Sequence, residues 1–146
     1  MKYWDIIGNP VGGEYQKLIK LLCDHSDSSY FVTRKELKYD KEVIELFKPF
    51  FFETYKTKKW ANTETKGPAA TVYRMKTGNE LCSLLQQSAS RLYDWVAPDL
   101  PEDLTFIRNG REWFSSTSHE EFAFFTIESD DRRLLDPIGG FLEEND

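Results

Sequence analysis

The spacing of apolar and polar positions divides the chain into short strands and a few helices. Lys2 to Ile7 is an apolar and aromatic run that predicts a strand, closed by the turn Gly8-Asn9-Pro10-Val11-Gly12-Gly13. Tyr15, Leu18, Ile19 and Leu22 then recur at the three-and-four spacing of one buried helical face, placing a helix over Glu14 to Asp24. A polar stop, Asp24 to Ser29, precedes a second strand at Tyr30 to Thr33, where aromatic and β-branched residues concentrate. Asp40 can cap a second helix running through Lys48, with Val43, Ile44 and Phe47 on one face and Pro49 ending it. Phe50 to Asn62 alternates loosely and reads as a strand rather than a helical continuation. Gly67-Pro68 marks a turn before a further strand, Ala70 to Met75.

Thr77-Gly78-Asn79-Glu80 has the form of a capping box, and Leu81, Leu84, Leu85, Leu92 and Trp95 continue it as one apolar stripe that ends before Pro98. The connector Pro98 to Asp103 excludes helix and ladder through its two prolines. Asn109-Gly110 is a primed-turn signal for a hairpin between Leu104–Arg108 and Arg111–Ser115. Its pairing sets Arg108 against Arg111, Ile107 against Glu112, Phe106 against Trp113, Thr105 against Phe114 and Leu104 against Ser115. Ser115 to Ser118 can turn the chain into a third strand, Glu121 to Ile127. Helices and strands mix without regular βα alternation, so the expected class is α+β, one domain with helices packed on a largely antiparallel sheet that ends in a C-terminal β-meander. The expected domain covers residues 1–136, with 137–146 as an acidic C-terminal tail.

Composition agrees with one soluble globular unit: 146 residues, 40% apolar, 15% aromatic and 30% charged, with a mean hydropathy of -0.58. No apolar run approaches the roughly 20 residues of a membrane span, and the N-terminus lacks the basic start and apolar stretch of a signal peptide, so a cytoplasmic location is expected. Cys23 and Cys82 are too few for a disulfide scaffold and fall inside apolar helical patterns, as reduced core residues would.

Charge is where the chain departs from uniformity. The formal net charge is -6, yet residues 119–146 alone hold nine acids against two bases, while the preceding 118 residues hold 16 acids against 17 bases. Non-specific nucleic-acid binding by the whole protein is therefore disfavoured; the acidic end reads first as a solvated terminus that serves solubility, with a basic partner as the alternative.

Candidate chemistry is sparse. The Gly8 to Gly13 turn lacks the Lys-Ser/Thr of a phosphate-binding loop and is followed by Glu14, so it reads as a structural turn. His119-Glu120-Glu121 has the wrong spacing for zinc, and the other histidine is His25; no metal and no cofactor is expected. Ser115, Ser116 and Ser118 lie beside His119 in sequence without the geometry of a catalytic triad. Arg108 and Arg111, opposed on the hairpin, call for a carboxylate, a phosphate or open water nearby. The 22 aromatic residues include Phe50-Phe51-Phe52 and Phe122-Ala123-Phe124-Phe125, which place rings on both sides of any strand and serve either the core or an interface. Phe141-Leu142, followed by Glu143 and Glu144, is an apolar pair in acidic surroundings that could dock on this domain, on a second copy or on another protein.

Leu92-Tyr93-Asp94-Trp95, the stretch Pro98 to Phe106, the hairpin and Ser118-His119-Glu120 together resemble a group of small uncharacterised proteins from Gram-positive bacteria, some labelled stage III sporulation proteins. Trp60-Ala61-Asn62-Thr63 stands where that group has Trp-Pro-Gly-Thr, without its proline and glycine. The resemblance covers about a third of the chain; it implies one α+β domain in a bacterial or phage-related setting and no catalytic residues.

The favoured reading is a non-enzymatic protein-binding module, an immunity or inhibitor protein with Arg108, Arg111, Trp113, Phe141, Leu142, Glu143 and Glu144 as its partner-binding residues, the acidic end suiting a basic partner and the arginine pair an acidic group. A homo-oligomer is a further way to use the same surface. The rival reading is a small-molecule or anion-binding protein, or an enzyme, in which Arg108, Arg111 and His119 surround a nucleotide or phosphate. An exposed aromatic patch beside the acidic end favours the first; a closed pocket holding those polar groups favours the second.

Overall fold

The computed structural model describes residues 1–145. It is α+β: an eight-stranded antiparallel sheet with helices packed on one face. The strands are β1 (Lys2–Ile6), β2 (Ser28–Thr33), β3 (Phe51–Thr57), β6 (Ala70–Lys76), β7 (Glu102–Arg108), β8 (Arg111–Thr117), β9 (Phe122–Ile127) and β10 (Leu142–Asn145). They lie in the order β10-β1-β9-β8-β7-β2-β6-β3, with every neighbouring pair antiparallel. Two short strands, β4 (Lys59–Trp60) and β5 (Thr63–Glu64), form a separate hairpin. The helices are α1 (Gly13–His25), α2 (Lys41–Phe47) and α3 (Asn79–Ser88).

Strand alternation sorts the sheet into two faces. Ile6, Phe31, Met75, Leu104, Phe106, Phe114 and Phe125 point into the main core, where they meet Tyr15, Leu18, Ile19 and Leu22 of α1 and Leu81 and Leu85 of α3. On the opposite face Tyr30, Val32, Ala70 and Val72 form a smaller cluster closed by Trp60 of the β4–β5 hairpin. Asp40 caps α2 as its short side chain predicts, accepting the Glu42 amide at 2.9 Å.

Three expectations are corrected. No capping box forms at the start of α3: Gly78 is the capping residue, and the Thr77 hydroxyl donates to the Ser26 carbonyl, tying α3 to the loop after α1. The stripe Leu81 to Trp95 is not one helix, because α3 stops at Ser88 and Leu92 and Trp95 belong to a separate short turn. The Asp94 carboxylate accepts the amides of Ser90 and Arg91 at 3.1 Å, a local arrangement that competes with helix continuation. The hairpin register also shifts by one beyond the turn: Phe106 faces Phe114 rather than Trp113, which is an extra residue in β8. Such a bulge lets two consecutive large side chains, Trp113 and Phe114, both enter the core. The turn itself holds as read, with Asn109 and Gly110 at φ 53° and 79° and Arg108 opposite Arg111.

The segment expected to be a tail is, through Asn145, part of the domain. Ser129–Phe141 winds as a run of 3₁₀ turns beside α1, and β10 adds to the sheet along β1.

Cys23 and Cys82 are free and buried, and burial pushes both thiols above their ordinary range. A raised thiol pKa leaves little thiolate to react. Neither cysteine should therefore be alkylated by iodoacetamide at mildly alkaline pH in the native protein, and both should be modified once denaturant is added; mass spectrometry distinguishes the two outcomes.

Candidate functional site

The glycine turn after β1 is a docking element rather than a phosphate cradle. Gly12 donates its amide to the Ser90 carbonyl at 2.9 Å, the Leu92 amide donates to Pro10 at 3.1 Å, and the Asn9 side chain accepts the Tyr93 amide. These bonds hold the 90–93 segment against the turn, with Val11 bridged to Arg91.

The residues singled out from the sequence separate into three groups. Arg108 is held within the protein: its Nη1 donates to the His25 carbonyl at 2.9 Å, and its guanidinium lies 5.8 Å from the Trp113 ring centre. Trp113 is buried and donates its indole N–H to Ser26 Oγ at 2.8 Å. Arg111 is exposed and pairs with Glu128 at 3.4 Å. Both arginines line a hollow of only about 60 Å³ that also carries Glu112, Glu128 and Asp131; Arg111 finds a carboxylate of the same chain there, whereas Arg108 is taken up by the His25 carbonyl. His119 is exposed, on the short turn between β8 and β9, and does not line this hollow.

Phe141 and Leu142 form the second group, and both are buried in the main core. Their expected role at a partner surface is corrected by that burial: the pair does dock, but on its own domain. Glu143 and Glu144 form the third group, exposed on β10, with Glu144 3.6 Å from the Lys2 amine.

An exposed aromatic surface lies beside these glutamates. Tyr3 pairs with Thr126 and Asn145, and Asp5 with Phe124 and Glu143, so alternation puts Tyr3, Asp5, Phe122, Phe124, Glu143 and Asn145 on the sheet face turned away from the helices. Tyr3 is 45% exposed and Phe122 42%, whereas Phe125 one position from Phe124 is fully buried. The rings touch in series, Tyr3 to Phe124 at 6.2 Å and Phe124 to Phe122 at 5.5 Å between centres. They line a shallow hollow of about 250 Å³ with Asp5 and Asn145, whose amide donates to the Asp5 carboxylate at 3.0 Å. The Phe122 to Phe125 run signalled this surface through its rings on both strand sides; Tyr3 carried no signal until the register with β9 was known.

Among the described residues no group of three His, Cys, Asp or Glu side chains converges as a metal site, and no helix is long and apolar enough to cross a membrane. The chain matches no family model, no curated protein and no solved structure.

Proposed function

We propose that the protein is a non-enzymatic protein-binding module whose partner is basic, and that it serves as a bacterial or phage immunity or inhibitor protein. The observation that carries this reading is the Tyr3-Phe124-Phe122 row, with Tyr3 and Phe122 exposed and Phe124 half-buried between them, next to the acidic edge strand β10. Large rings supply contact area at little cost in side-chain freedom, and such residues anchor protein interfaces. Asp5 and Glu143 on the same face, and Glu120 and Glu121 just before β9, add negative charge that steers a basic partner towards the rings. β10 has β1 on one side and none of the eight sheet strands on the other, which leaves backbone groups for an added strand. A second copy joined edge to edge there would bring Glu143 and Glu144 against the same residues, so charge favours a basic partner over a homodimer.

The test compares the intact protein with Tyr3→Ser/Phe122→Ser and Glu143→Lys/Glu144→Lys variants, all surface substitutions, in capture from a lysate of the source organism followed by cross-linking. The expected result is a basic partner cross-linked near β9 and β10, lost at high salt and lost in both variants. Retention of the same partner by both variants, or cross-links confined to another face, would overturn the reading.

A further inference from the structure

The end of the sheet opposite β10 has the reverse charge. Residues 34–76, which include β3 and β6, hold eleven bases against six acids. A cleft of about 580 Å³ opens there between the β2–α2 loop, the start of α2 and the strands β6 and β3. Its wall carries Arg34, Lys35, Lys38, Lys41 and Lys56 and no carboxylate.

That composition is the product of folding, not of a uniformly basic segment. From Arg34 to Glu42 the sequence interleaves bases with Glu36, Asp40 and Glu42, yet only the bases reach the cleft. Asp40 is occupied in capping α2. None of the four lysines forms an ion pair among the described residues. Arg34 is the fixed element: its Nε lies 3.2 Å from Glu102 Oε2, its guanidinium sits 5.1 Å from the Trp60 ring centre, and its Nη2 is buried with no hydrogen-bond partner. Thr33 and Thr71 also line the cleft, the Thr33 hydroxyl in a hydrogen bond with the Tyr73 hydroxyl at 3.1 Å.

We propose that this cleft is a binding site for a small anion with two or more linked phosphate groups. Like charges gathered in a concave wall raise the local potential and concentrate an anion, and lysines serve as point-charge partners for phosphate oxygens. A cleft of this size matches the roughly 300–1,000 Å³ of small-ligand sites. The shared chemistry is the phosphate chain, whether free or attached to a nucleoside. The site is distant in the sheet order from the aromatic and acidic surface, and it uses none of Arg108, Arg111 or His119.

Calorimetric titration of the full chain with inorganic tripolyphosphate, with a nucleoside triphosphate and with a short single-stranded oligonucleotide tests it. Saturable one-to-one binding of tripolyphosphate is expected, weakened by roughly tenfold in a Lys38→Ala/Lys56→Ala variant. Lys66→Ala, outside the cleft wall, should leave it unchanged. Equal affinity for the nucleoside triphosphate assigns recognition to the phosphates alone, and higher affinity assigns a further contact to the nucleoside; both support the site. Thermal denaturation of each variant checks that the fold is kept. No saturable tripolyphosphate binding at low ionic strength, equal loss in Lys66→Ala, or much tighter binding of the oligonucleotide would overturn the proposal.

Discussion

Deleting residues 137–146 is expected to unfold the protein rather than trim a tail from it. Ile138, Phe141 and Leu142 are 1%, 8% and 8% exposed and belong to the main core. Full burial of an apolar side chain of this size is worth about 1.5–3 kcal/mol, so the three together contribute about 5–9 kcal/mol. A domain is stable by only about 5–15 kcal/mol in total. The deletion also strips β10 from β1 and removes the carbonyl of Phe141 that accepts the Ile7 amide at 2.8 Å. Urea titration followed by circular dichroism should show a cooperative transition for the intact chain and none for the shortened one. Glu143→Gln/Glu144→Gln, which removes the charge and leaves the packing, should stay within about 1 kcal/mol of the parent, as exposed positions do. A shortened chain that unfolds cooperatively at nearly the parent's urea concentration would show that the burial of these three side chains contributes little.

The same residues show where sequence reasoning reached and where it stopped. Local signals carried well: the three-and-four spacing of Tyr15 to Leu22 gave α1, Asp40 gave the start of α2, and Asn109-Gly110 gave the β7–β8 turn. Each depends on residues close in sequence, and each is decided by backbone geometry or one capping bond. Phe141-Leu142 could not be placed in the same way. A four-residue strand has too short a pattern to announce itself, and its partner β1 lies at the other end of the chain. The acidic count of 119–146 suggested a solvated tail, yet the glutamates of β10 are exposed while its first residue, Leu142, points into the core.

Non-local competition explains the other departures. Thr77 had an ideal capping box in sequence, but where α1 and α3 pack together its hydroxyl donates to the Ser26 carbonyl and Gly78 takes the capping position. Leu92 and Trp95 kept their apolar destination without the helix: Trp95 is fully buried, stacked 6.1 Å from Phe31 and donating to the Tyr15 hydroxyl at 3.0 Å. For the candidate sites, the acidic and aromatic surface was half legible, through Glu143, Glu144 and the Phe122 to Phe125 run. The basic cleft was hidden because its lysines alternate with acids along the chain and are sorted only in three dimensions.

Asp103→Ala is expected to be the most damaging single substitution on the face away from the helices. Asp103 is fully buried, at φ 58°, where β7 departs from regular register with β2. Its Oδ2 accepts the indole N–H of Trp60 at 2.8 Å, and its Oδ1 accepts the Ser118 amide at 2.9 Å. One carboxylate thus fastens the β4–β5 hairpin to the sheet and fixes the turn from β8 into β9. Alanine leaves both donors without an acceptor and places a side chain that cannot bond locally in the left-handed region; at about 1–3 kcal/mol for each orphaned donor, the loss should reach about 3–5 kcal/mol. Asparagine tolerates that backbone conformation and keeps one acceptor, but turns its NH₂ towards the second donor, so about 1–3 kcal/mol is expected. The route of the effect is checked by a double-mutant cycle with Trp60→Phe. Where the indole N–H has lost its acceptor, removing it should cost less than in the parent by about 1–2 kcal/mol. Additive effects in that cycle, or an Asp103→Ala protein within about 1 kcal/mol of the parent in urea unfolding, would mean that the carboxylate does not hold the hairpin down.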